Sequence, residues 1–109
     1  MKGDKKEMRE YLVKYIGDRI ELLLFLFDEQ ITVLTQYEYV DTDLIERIWD
    51  SQIKKMAQHM GISTDSYELI EWYFLDGHVV VEDDRVIEDK EELIEYFVDK
   101  AIEKQKELN

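Results

Sequence analysis

The chain has no cysteine and no proline, and only four glycines and two histidines among its 109 residues. Without cysteine, disulfides, zinc–thiolate sites and thiol catalysis are excluded. With no proline, and glycine only at Gly3, Gly17, Gly61 and Gly77, the composition suits helices joined by short connections rather than by a flexible linker. Long apolar runs are missing too. The longest, Leu22 to Phe27, is six residues, against the roughly 20 that a membrane-spanning helix requires. The first residues, Met1 to Glu7, carry charges where a leader peptide would carry an apolar stretch. The expectation is a soluble, cytoplasmic protein.

What the chain has in excess is acid. Its net charge is −13, distributed unevenly: residues 1–60 hold 12 acids and 9 bases, residues 61–109 hold 15 acids and 5 bases. A surface that binds phosphates needs the opposite sign. The most basic stretch, Lys2, Lys5, Lys6, Arg9, Lys14 and Arg19, is interrupted by Asp4, Glu7, Glu10 and Asp18. With 45% hydrophobic residues the chain can bury a core, and a single domain over 1–109 is expected.

The spacing Asp-x-x-Glu recurs at Asp4/Glu7, Asp18/Glu21, Asp43/Glu46, Asp65/Glu68 and Asp89/Glu92. Such a pair caps a helix start, because the first side chain accepts from unpaired backbone N–H groups and the second favours the positive helix end. The predicted elements follow from these signals and from apolar periodicity. A helix over about 5–16 buries Met8, Leu12, Tyr15 and Ile16. A second, after Asp18, runs to about 37 on Ile20, Leu23, Leu24, Phe27, Ile31 and Leu34, although the β-branched and aromatic stretch 31–40 leaves a strand open. A third over about 44–60 presents Ile45, Ile48, Trp49, Ile53, Met56, Ala57 and Met60. A fourth covers about 66–75. Short strands at 78–82 and 85–87 flank a two-residue Asp83-Asp84 turn. A last helix, about 90–107, carries Leu93, Ile94, Phe97, Val98, Ala101 and Ile102.

Residues 55–63, Lys-Met-Ala-Gln-His-Met-Gly-Ile-Ser, have the form of a helix-turn-helix turn. A small residue, Ala57, stands where the helices cross. Four positions on, Gly61 tolerates a positive φ, and Met56, Met60, Ile62, Tyr67 and Ile70 close the pair. With the hairpin behind it, the segment of about 53–88 resembles a winged helix-turn-helix domain. The resemblance implies a mainly α fold with a small β-hairpin, and a second helix placed to read DNA. That helix carries acids instead. Ser63, Thr64, Asp65, Ser66, Glu68 and Glu71 would face the groove, and Glu82, Asp83 and Asp84 would form the wing, whereas base reading calls for Arg, Lys, Asn or Gln.

Catalytic and metal signals are weak. His59 and His78 lie in different elements, and neither a Gly-rich phosphate loop nor a His-Glu-x-x-His motif occurs. The acids Glu82, Asp83, Asp84, Glu88 and Asp89 lack the alternating spacing that wraps calcium. No enzyme activity, metal or cofactor is expected. Trp72, Tyr73 and Phe74 are consecutive, and no single helical stripe can bury all three. Burial on two sides and an exposed patch both remain open.

The expectation is therefore a small acidic regulatory protein acting by protein–protein binding, with Asp65, Glu68, Glu71, Glu82, Asp83 and Asp84 as its contact face. The partner would be a basic, nucleic-acid-binding protein whose site the acids block by imitating phosphates. One alternative is a DNA-binding transcription regulator contacting DNA through Lys54, Lys55 and the basic N-terminal helix. Another is an assembly protein, in which apolar helix faces form a homodimer.

Overall fold

A computed structural model describes residues 2–36 and 41–108. The described chain is mainly helical, with one two-stranded antiparallel hairpin. Helix α1 (Lys2–Gln36) is followed by α2 (Thr42–Ile48), a π-helical turn (Trp49–Ile53) and α3 (Lys54–His59). Then come α4 (Thr64–Asp76), strands β1 (Val79–Val80) and β2 (Val86–Ile87), and α5 (Lys90–Leu108). At about 1.5 Å per residue α1 is about 52 Å long, which accounts for the 56 Å long axis of the molecule.

The two helices expected on either side of Gly17 are one. Gly17 is buried inside α1, where an added Cβ would lie 3.4 Å from Ile94 Cδ1. Both that contact and the one at 3.8 Å to Ile94 Cγ2 are ordinary, so the glycine neither ends a helix nor is required by a clash with α5. The two helices run antiparallel, with Arg9 pairing with Asp99 at 3.0 Å and Lys90 with Glu21 at 2.9 Å near either end of the contact. Residues 31–36 are helical, and the remainder of the proposed strand, 37–40, lies outside the described residues.

Caps follow the expected chemistry at partly different residues. Asp89 accepts from the Glu92 N–H at 2.8 Å, as its spacing suggests. Asp41 caps α2 by accepting from Asp43, and Ser63 caps α4 by accepting from Ser66. Asp43 and Asp65 therefore stand in the first turns of those helices rather than at their caps, and α1 begins at Lys2, ahead of Asp4.

The π turn settles how α2 and α3 share one core face. Ile45, Trp49, Ile53 and Ala57 are all buried, one every fourth residue. In a pure α-helix that spacing drifts about 40° per step, and one turn of i→i+5 bonding takes up the drift. Its cost falls on Met56, expected inside and 46% exposed. Tyr15 of α1 is likewise exposed rather than buried. The core is one cluster centred on rings: Phe27 lies 4.3 Å from Trp49, 5.7 Å from Tyr67 and 5.5 Å from Phe74.

The turn between α3 and α4 closes as a Schellman motif. Gly61 N–H donates to Gln58 O and Ile62 N–H to Ala57 O, with Gly61 at φ 83°. In the hairpin Val79 pairs with Ile87 and Val80 with Val86. Asp83 and Asp84 both have positive φ, and Arg85 N–H donates to Glu82 O. This is the two-residue turn with both central residues left-handed, whose twist suits a hairpin.

Candidate functional site

Helix α4 is held by both its ends. Ser63 caps its start, and Gly77, at φ 79°, returns its N–H to Tyr73 O at its close. Tyr67 and Ile70 are buried, and Phe74 packs against Phe27 and Trp49. Successive residues of a helix are about 100° apart, so with Phe74 inward Tyr73 falls at the flank and Trp72 faces out. Trp72 is 52% exposed. This decides what three consecutive aromatics left open: the run is shared between core and surface.

Helical spacing puts Glu68 one turn before Trp72, Asp76 one turn after it and Asp65 two turns before it. All three acids are exposed. The outward face of α4 is thus an indole ringed by carboxylates, with no base anywhere on the helix.

The other acids expected on this face are placed differently. Glu71 is turned to the flank of α4, half-buried, and its Oε2 has no hydrogen-bond partner among the described residues. Burial raises its carboxyl pKa above the ordinary 4.5, and the charge of Asp50, on the π turn, raises it further. The Tyr67 hydroxyl lies beside it, and burial with the Glu71 and Asp50 charges pushes its pKa up as well. Glu82 is exposed but engaged: it pairs with Lys100 and accepts from Tyr96 at 3.5 Å, tying the hairpin to α5. Asp83 and Asp84 are exposed at the hairpin tip. Of the alternative contacts, Lys55 is exposed on α3 and Lys54 half-buried.

Bases gather elsewhere. A cleft of about 340 Å³ between α1, the α3–α4 turn and α5 is lined by Arg19, Lys100 and Lys104 and by no carboxylate. Arg19 spans it structurally, donating to Met60 O at 3.2 Å while its guanidinium lies 3.4 Å over the Tyr15 ring. His59 and His78 are both exposed, and His78 Nδ1 lies 3.2 Å from Asp76 O. Among the described residues no cluster of His, Asp and Glu is arranged to hold a metal ion, and no helix is long and apolar enough to cross a membrane. No family model, curated protein or solved structure matches the chain.

Proposed function

We propose that the protein is a small, non-enzymatic regulatory module that docks on a basic partner protein through the outward face of α4. The supporting observation is Trp72, half exposed in the middle of Asp65, Glu68 and Asp76. Exposed tryptophans that fill a partner's pocket are frequent binding hot spots, and a surrounding ring of charge selects the partner and speeds encounter. Positive φ at Gly61, the buried crossing residue Ala57 and the hairpin after α4 support a winged-helix-like arrangement for this unit. In that arrangement α4 stands where a DNA-reading helix would, with carboxylates in place of bases' partners. The partner class is then a protein whose basic site takes nucleic acid, and the module competes with phosphate for it.

The test is capture of partners by tagged protein, with salt steps and nuclease treatment in parallel, for the parent chain and three variants. The proposal expects a protein that survives nuclease, elutes with salt, and is lost with Trp72→Ala and with Glu68→Lys but retained with Lys54→Glu/Lys55→Glu. Recovery of DNA, lost with the lysine variant and unaffected by Trp72→Ala, would overturn it in favour of a transcription regulator.

A further inference from the structure

Helix α1 has a second apolar stripe that its own chain leaves largely uncovered, apart from the Arg19 guanidinium over the Tyr15 ring. Ile20, Leu23 and Phe27 face the core and are buried. Tyr11, Tyr15, Leu22, Phe25 and Val33 are exposed, at 64%, 39%, 44%, 56% and 45%. At 100° per residue four of these fall within about 40° of one line along the helix and Phe25 stands at its edge, roughly 140° around from the core face. Their intervals, four, seven, three and eight residues, keep step with the three-and-four alternation of a helix–helix seam. Asp18 and Glu29 occupy the same line and are exposed.

We propose that this stripe is a self-association surface on which a second copy of the chain packs its α1 antiparallel, with Leu22 of the two copies meeting at the two-fold axis. Charge selects both the occupant and the direction. Arg9 and Glu21 are turned to α5, where they pair with Asp99 and Lys90, so the charges on or beside the stripe are Lys14 and Asp18 in its first half and Glu29 in its second. An antiparallel pair sets the Lys14 half of each helix against the Glu29 half of the other. Centred on Leu22, it brings Tyr11 to Val33 of the other copy, and Lys14 and Tyr15 to its Glu29. A parallel pair would set Asp18 against Asp18 and Glu29 against Glu29, two like-charge contacts in the seam.

The area is adequate. Five large side chains about half exposed offer on the order of 500 Å² of surface per copy. With the flanking Leu26, Lys14, Arg19 and Glu29 the strip approaches the roughly 600–800 Å² per partner at the lower end of stable interfaces. The surface is distinct from the outward face of α4, and self-association does not depend on that face having a partner.

Because the chain is free of cysteine, direction can be read by cross-linking. Light scattering across a dilution series should show a mass rising from 13.2 kDa towards twice that value. Leu22→Glu should hold the chain at the monomer mass, with its helical circular dichroism unchanged, since Leu22 lies outside the core. Lys14→Glu should weaken association about tenfold, and adding Glu29→Lys should restore it. On mild oxidation, a mixture of Tyr11→Cys and Val33→Cys chains should form the mixed disulfide in excess of either homodimer. A parent chain monomeric throughout the series, or Leu22→Glu chains that still associate, would overturn the surface. Efficient cross-linking of Tyr11→Cys to itself would overturn the antiparallel direction.

Discussion

Replacing Gly17 with alanine separates two roles that a glycine can play in a helical chain. If Gly17 ended one helix before another began, it would adopt a left-handed conformation, and alanine there would cost about 1 kcal/mol. In the structure it lies within α1 and its φ is not positive. A Cβ would stand 3.4 Å and 3.8 Å from two carbons of Ile94, both ordinary contacts. Removing glycine from a helix interior gains about 0.8–1 kcal/mol, and covering one methyl adds at most about 0.8 kcal/mol. Some of that is given back where Ile94 is approached most closely, which leaves a net stabilisation of about 1 kcal/mol. An unfolding entropy of about 2.1 cal/mol/K per residue amounts, over 109 residues, to about 0.23 kcal/mol/K. Gly17→Ala should therefore raise Tm by about 4 °C. Gly17→Val carries two further methyl groups into the α1–α5 contact and should lower stability by about 1–3 kcal/mol through overpacking. Thermal unfolding followed by far-ultraviolet circular dichroism measures both. A lower Tm for Gly17→Ala would refute the continuous helix.

Three further variants probe separate features. The Glu71 carboxyl has a folded pKa above its unfolded value of 4.5, so the folded state holds more protons between the two, and stability falls as pH rises through that window. Glu71→Gln should stabilise by roughly 0.5–1 kcal/mol near neutral pH, allowing for screening at a half-buried site, and the gain should vanish below about pH 4; a gain independent of pH would count against the ionisation argument. Asp83→Asn with Asp84→Gly places residues suited to positive φ in the hairpin turn and should raise the chemical unfolding midpoint by the equivalent of about 1 kcal/mol. Ala57→Leu forces a larger side chain into the fully buried crossing of α3 and α4 and should cost about 1–3 kcal/mol, measured by the same denaturation.

Apolar periodicity made the inner faces of α1 and α5 legible, because Leu23 and Phe27, and Ile94 and Val98, recur at four-residue intervals and all are buried. The hairpin was legible from Asp83-Asp84 between β-branched residues. What escaped depended on distant or competing partners. Gly17 reads locally as a break, and only its packing against Ile94, far along the chain, shows it to lie inside one continuous helix. Asp41 and Ser63 cap helices for which Asp43 and Asp65 had the more regular spacing, since any of these side chains can accept from a first-turn N–H. The four-residue spacing of Ile45, Trp49, Ile53 and Ala57 was present in the sequence. Met56 and Met60, apolar as well, disguise it as ordinary α-periodicity, so neither the π turn nor the exposure of Met56 is legible there.

Competing partners also narrow the site. Acids read from sequence as one face differ in how much free charge they present, since a carboxylate facing protein acts through its own pKa or its ion pair before it acts on a partner. Glu71 holds an unpartnered, half-buried oxygen beside Tyr67 and Asp50, and Glu82 is matched by Lys100. Substituting either would change stability or hairpin docking together with any binding, so a loss of activity there would mix the two effects. Asp65, Glu68 and Asp76 are exposed, and so is Trp72 among them. Charge reversal at Glu68 and truncation at Trp72 thus change the face presented to a partner while leaving the core residues Tyr67, Ile70 and Phe74 in place. They are the pair of changes whose effect on binding can be separated from an effect on folding.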